Sequence, residues 1–542
     1  MADSILFWNA VALEANRVSH SDPAKGEQQG PTLSSRALAI VHLAMYDAYA
    51  GIKSDTANFP RYLPETMQGD PCHPRPDPSG TSGTPLELQE AVAGAAYTSL
   101  VKLYPAQKDY FDTQIEFFQP APPNPINAFQ FGIDVANNLW CYRKDDPGAG
   151  DCGYKASPDR FRHRVDPDNP MQGFHGPNYG TATGFSIAVR HHLDEPPRGD
   201  NPIPNVVKDY IKALRQVRTK GIKPELTATL PDKLTSPNFK PFENRRTAEE
   251  TLIGIYWGYD GSNRLGTPPR FFNLIAREVA MKQGNGEGTN ARLFAFLNAA
   301  LGDAGILAWE QKYCHDLWRP VVGIREDDVS FGPKLGNLAK QNISQDADPE
   351  WLPLGAPSTN SSKKNFSPNF PAYPSGHATF GAAALHIMRL FYGQGTTGSG
   401  ANKKPYDSNG KIIKDNLLNG IGIISEEFNG MNQDNRGTVR PRHVRKFKNG
   451  LADMIIENGL SRVYLGVHWF FDAFALKNED EDLRKNIGGV PLGLNIAKDI
   501  FDGGNGIAPK YNATTPTNQD CISKEDDGTI AAQRDFRGLS SR

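Results

Sequence analysis

The residues best suited to chemistry lie in three short clusters of the C-terminal half. In FPAYPSGHATF (370–380), Ser375, Gly376 and His377 open an alanine-rich apolar run. Ser375 suits a helix cap, the amides after it then point toward an anion, and Gly376 permits close backbone approach. His377 brings an imidazole able to move protons near neutral pH. The second cluster, WEQKYCHDLWRP (309–320), carries Lys312 and Arg319 almost two helical turns apart, so one side of a helix can present both. In the third, SRVYLGVHWFFD (461–472), Arg462 can neutralise oxygens and His468 can offer a ring nitrogen to a central atom. Asp472 either orients an imidazole or has a surface role. Brought together, these groups bind a tetrahedral or trigonal-bipyramidal oxyanion beside an acid–base imidazole. They point to an enzyme.

The elements that must position these groups read as helices. Apolar residues recur at three- and four-residue spacing over 5–18, 33–50, 88–103, 126–140, 206–217, 248–257, 270–282, 289–298, 304–314, 378–392, 421–428 and 451–463. No alternating βαβ series is present, so the expectation is an all-α, mainly helical fold with a bundle core. Pro-, Gly- and Asp-rich stretches at 65–86, 143–199 and 393–409 predict long irregular loops. The expected organisation is an N-terminal helical region (1–220) packed closely on a catalytic helical-bundle region (221–509), then a polar tail (510–542).

A net charge of -2 over 542 residues gives no global basic field of the kind a nucleic-acid binder needs. The basic tract RPRHVRKFK (440–448) reads as a solvated face or helix entry. No window offers the roughly 20 continuous apolar residues of a membrane span. The N-terminus lacks a basic region before its apolar residues and a small-residue cleavage pattern after them, which leaves cytoplasmic or secreted localisation open. Five cysteines, Cys72, Cys141, Cys152, Cys314 and Cys521, are too sparse for a disulfide scaffold. Cys141 and Cys152 either pair or remain two free thiols, and Cys314 reads as a packing residue. Sequons at Asn342, Asn360, Asn365 and Asn512 matter only in a glycosylating compartment.

The ordered set Lys312…Arg319-Pro320, Pro374-Ser375-Gly376-His377 and Ser461-Arg462…His468 resembles the signature shared by vanadium-dependent haloperoxidases and acid phosphatases related to type-2 phosphatidic acid phosphatases. ILFWNAVALEANRVSH (5–20), SSRALAIVHLAMYDAY (34–49) and YDGSNRLGTPPRFFN (259–273) resemble the fungal vanadium chloroperoxidase branch. The resemblance implies two four-helix bundles and a vanadate, vanadium(V), bound through His468. Lys312, Arg319 and Arg462 would hold its oxygens, with Ser375 and the Gly376 amide completing the cradle. His377 would be the acid–base residue opposite, Lys312 would draw charge from peroxide, and Asp260 would pair with Arg462 behind them.

The implied reaction uses hydrogen peroxide to oxidise chloride, bromide or iodide to hypohalous acid or an equivalent electrophile, with small organic acceptors beyond it. It requires no haem, flavin or nicotinamide. Trp309 and Phe370 match aromatic positions of the chloroperoxidase-like branch and form the expected halide rim. The same cradle would accept a phosphate ester, with His468 as nucleophile and His377 as proton donor, so acid phosphatase is the alternative. Oligomeric state and natural organic acceptor are left open.

Overall fold

The computed structural model describes residues 3–65, 72, 74–116, 127–199, 201–229, 245–326, 348–398, 403–477, 480–503 and 507–516. Its first helix, α1 (Ser4–Ser19), is capped by Asp3 and buries Trp8, Val11 and Ala15. Then follow α2 (Gly30–Lys53), α3 (Pro85–Leu103), α4 (Lys108–Ile115), α5 (Asn127–Arg143) and α6 (Pro204–Lys220). Reciprocal Thr84–Glu87 hydrogen bonds fix the start of α3. The C-terminal half contains α7 (Ala248–Tyr256), α8 (Pro268–Lys282), α9 (Glu287–His315), α10 (Pro320–Glu326), α11 (Gly376–Phe391), α12 (Leu451–Tyr464) and α13 (Gly489–Gly503). Sheet is confined, among the described residues, to a two-stranded antiparallel pair, Leu476–Lys477 with Asp480–Glu481. The expected all-α class is the observed one.

Two helical bundles share α9. On one side α2 packs on α9 and α3, and α3 packs on α5; on the other α11 packs on α13, α9 and α12. Helix α9 has the length and hydropathy of a membrane span, yet it is the central core helix, with 94% of its apolar window buried. The sequence reading divided it at 298–304. It runs on through Gly302 and Gly305 because added Cβ atoms there would lie 2.6 Å from the Phe185 ring and 2.8 Å from Ser35 Oγ. Those glycines allow close packing rather than a break.

The long stretch 143–199 is irregular as expected, but it is tied to the core. Asp303 on α9 accepts the amides of Phe185, Ser186 and Ile187 at 2.5, 2.8 and 3.0 Å. The helix expected over 421–428 does not form, apart from a 3-10 turn at Glu426–Phe428. Ile423 instead exchanges backbone hydrogen bonds with Arg445 at 2.8 and 2.9 Å. Cys141 pairs with neither of its expected alternatives: it bonds Cys72, across 69 residues. Asn138, nearly one turn earlier on α5, donates to the Cys72 carbonyl and brings that segment onto the helix. Cys152 is a free, exposed thiol, and Cys314 is disulfide-bonded rather than simply packed. In the polar tail, Tyr511 packs against Tyr62 and Tyr142; residues 517–542 lie outside the described residues.

Candidate active site

The three clusters converge where α9 ends, α11 begins and the chain leaves α12. Lys312 stands in the last turn of α9, and Asp316 ends that helix in the left-handed region at φ 50°. Arg319 immediately precedes α10. Ser375 is the cap of α11, its Oγ accepting the Ala378 amide at 3.3 Å, so the Gly376 and His377 amides open the helix without intrahelical acceptors. Gly376 faces Trp309: a Cβ would lie 3.2 Å from the indole. Arg462 occupies the last turn of α12, and Gly466, with φ 74°, turns the chain so that His468 comes back toward Arg319.

Hydrogen bonds fix the protons on both imidazoles. His468 Nδ1 lies 2.7 Å from Asp472 Oδ2, while its Nε2 lies 2.9 Å from Arg319 Nη1. An arginine only donates, so Nε2 is the acceptor and Nδ1 carries the hydrogen toward the carboxylate. Asp472 thus orients the ring, and its own position is set by the Trp469 amide at 3.0 Å. His377 Nε2 lies 2.8 Å from the Gly258 carbonyl, which only accepts. That nitrogen must carry the hydrogen, and the Nδ1 lone pair is left for the cavity. Burial, with nearby arginines as the next cause, holds both histidines well below the usual imidazole range, so both are neutral at neutral pH.

The positive groups are buried with donors to spare. Arg319 spends Nε on the Phe370 carbonyl at 2.8 Å and Nη1 on Val467 and His468, but Nη2 has no partner. Arg462 gives Nη2 to both Asp260 oxygens, at 2.8 and 3.0 Å, and its buried Nε and Nη1 are unpaired. Lys312 Nζ contacts the carbonyls of Pro371, Ala372 and Pro374 at 2.9, 3.2 and 2.5 Å. Burial beside Arg319 drives its pKa well down. Orphaned buried N–H groups are costly, so a cluster of them marks a place built for acceptors from elsewhere. This donor set suits an oxyanion. Among the described residues no group of three or more His, Cys, Asp or Glu side chains is placed to hold a bare metal cation.

A cavity of about 120 Å³ opens onto Arg462 and both imidazoles, with Lys312 and Arg319 against the Phe370 ring of its wall. His377, His468, Arg462 and Gly376 form its buried floor, while Gly30, Pro31, His175, Asn369 and Phe370 are partly exposed around it. Trp309 and Phe370 meet at 4.8 Å between centroids, with Lys312 Nζ 5.0 Å and the Arg319 guanidinium 4.9 Å from the Phe370 ring. All ten candidate residues, Asp260 included, therefore meet at one site. The sequence reading missed the Gly258 carbonyl and Asn458, which donates to the His377 carbonyl at 2.7 Å. It also missed His175. A carbonyl leaves no side-chain signature, and His175 lies in a loop without periodicity.

Residues 2–175 match the vanadium chloroperoxidase N-terminal domain, and residues 292–478 match the VCPO second helical-bundle domain. A vanadium chloroperoxidase from Curvularia inaequalis is 34% identical, covering 95% of this chain and 92% of that protein. The fold is similar to that of a crystallised bacterial vanadium-dependent iodoperoxidase, with TM-score 0.57, 16% identity, and 94% and 98% of the two chains covered. It is also similar to a holo-type bacterial vanadium-dependent chloroperoxidase, with TM-score 0.53, 14% identity, and 91% and 96% covered.

Proposed function

Because this chain belongs to the vanadium-dependent haloperoxidase family, we propose that it uses hydrogen peroxide to oxidise chloride, bromide and iodide, with vanadate bound in the cradle described above. The observation carrying this reading is the set of unspent donors on Arg319 and Arg462 beside two neutral imidazoles. Arg319, Arg462, Lys312, the Ser375 hydroxyl and the Gly376 amide would hold the vanadate oxygens, and His468 Nε2 would supply the ligand to vanadium. Bound vanadate would supply a Lewis acid that polarises peroxide for oxygen transfer to the halide, which gives up two electrons.

The residues do the rest. By taking the Nδ1 hydrogen, Asp472 keeps the His468 lone pair on Nε2, where it accepts from Arg319 Nη1 and would pass to the incoming group. His377 Nδ1 takes a proton from peroxide as it enters, and its Nε2–H remains on Gly258. Lys312 adds positive charge beside the reacting oxygen, first by its field and more directly when one loop carbonyl yields to an incoming oxygen. The balance is peroxide, halide and one proton giving hypohalous acid and water. Trp309 and Phe370 keep water from the halide path. The bonded cysteines suit work in an oxidising compartment.

Purified protein stripped of anions should gain peroxide-dependent bromide and chloride oxidation on adding orthovanadate. Absence of activity across mildly acidic to neutral pH, in protein that binds vanadate, would overturn the reading. The relatives described above are halide peroxidases and give the acid phosphatase alternative no support.

A further inference from the structure

We propose that His175 binds the halide, its Nδ1–H receiving the anion beside the edges of the Trp309 and Phe370 rings and above the oxyanion cradle. The inference rests on the haloperoxidase reading and names a residue for its second substrate.

His175 lines the same cavity as His377, His468 and Arg462. Its backbone is pinned on several sides. The amide donates to the Asn369 carbonyl at 3.0 Å, and the carbonyl accepts from Trp309 Nε1 at 3.1 Å and Tyr313 OH at 2.7 Å. The ring stands at 78° to Trp309 with centroids 5.9 Å apart, and 6.1 Å from Phe370. Gly30 leaves room for it: a Cβ there would lie 2.5 Å from His175 Cε1. This imidazole is therefore held in place by contacts that the cradle itself does not need.

The two ring nitrogens differ. Nε2 lies 2.9 Å from Thr32 Oγ1, whereas Nδ1 has no hydrogen-bond partner among the described residues. Burial lowers the group to about 4, so near neutrality it carries a single ring hydrogen. When the Thr32 hydroxyl donates to Nε2, that hydrogen sits on Nδ1 and is free for a ligand. Aromatic edges carry partial positive charge, and Lys312 and Arg319 lie beside Phe370. One N–H donor, two ring edges and cations behind them form a site for a large monovalent anion. The cradle's several convergent donors instead match a multiply charged oxyanion.

The test uses vanadate-loaded enzyme with bromide and peroxide varied separately, together with anomalous diffraction from bromide-soaked crystals. His175→Phe keeps a ring and removes the donor. It should raise the KM for bromide about tenfold or more, as loss of a hydrogen bond to an ion does, and change kcat and the KM for peroxide far less. His175→Gln, which restores a donor, should recover much of the loss, and Thr32→Val should give an intermediate rise. A bromide peak should lie within hydrogen-bond distance of the His175 ring and vanish in His175→Phe. An unchanged bromide KM, a parallel loss in all constants, or a peak elsewhere overturns the proposal. Wild-type enzyme without halide turnover overturns the parent reading instead, and the bromide peak still decides the role of His175.

Discussion

His377 is the residue on which the pH behaviour turns. Burial and then Arg462 lower its pKa, so it stays an unprotonated base from neutral into mildly acidic solution. Activity should fall only as pH drops below the ordinary imidazole value and through the lowered one, because protonation removes the Nδ1 lone pair. His377→Ala should reduce turnover about 10²–10⁴-fold and abolish that acid limb, as a pH series at saturating bromide would record. Asp472→Ala leaves the His468 Nδ1–H buried without its acceptor. Vanadate affinity should then weaken roughly 10–100-fold in a reconstitution titration, with the fold intact by circular dichroism. The side chains that meet at the site were legible, because the order of the three motifs and their resemblance to a known signature singled them out jointly. The groups that set the imidazole hydrogens were harder to see. Gly258 acts through a backbone carbonyl, and Asp472 read equally well as a surface carboxylate.

Among the elements, α11 and α13 pack closely, and small residues permit it. A Cβ on Gly493 would stand 2.4 Å from the Thr379 carbonyl oxygen and 2.7 Å from Ala382 Cβ. Gly493→Val should cost about 1–3 kcal/mol in denaturant unfolding, since backbone must yield. Gly148→Val, where nothing lies within 4 Å, should leave the midpoint nearly unchanged. The same glycines explain why α13 escaped the sequence reading: GGVPLGLNIAKDIFDGG reads as a turn-rich stretch until α11 is placed against it. The error over 421–428 has the opposite origin. Its apolar residues suggested one helical face, but Ile423 and Arg445 pair as extended strands would. Helices such as α1, α3 and α12, whose apolar residues recur at three- and four-residue spacing, were legible within a few residues.

At the scale of the whole molecule, α9 joins the bundles and the Cys72–Cys141 bridge ties a long loop to one of them. Replacing both cysteines by serine releases a closure of 69 residues. In the chain-entropy account this should lower stability by about 4 kcal/mol, measured by denaturant unfolding against wild type. Neither alternative for Cys141 included Cys72, because spacing along the chain says nothing of which loop returns to α5. Another molecule-wide property follows from the Phe370–Pro374 loop. Carbonyls of Phe370, Pro371, Ala372 and Pro374 engage Arg319 and Lys312, and the two prolines bring acceptors without amide donors. The loop thus serves as a placeholder for the anion, quieting part of the repulsion among buried cations. Those carbonyls still leave Arg319 Nη2 and Arg462 Nε and Nη1 unspent, so the chain should hold its shape with the cradle empty, and an arriving anion would add contacts to a finished scaffold rather than rescue it from collapse.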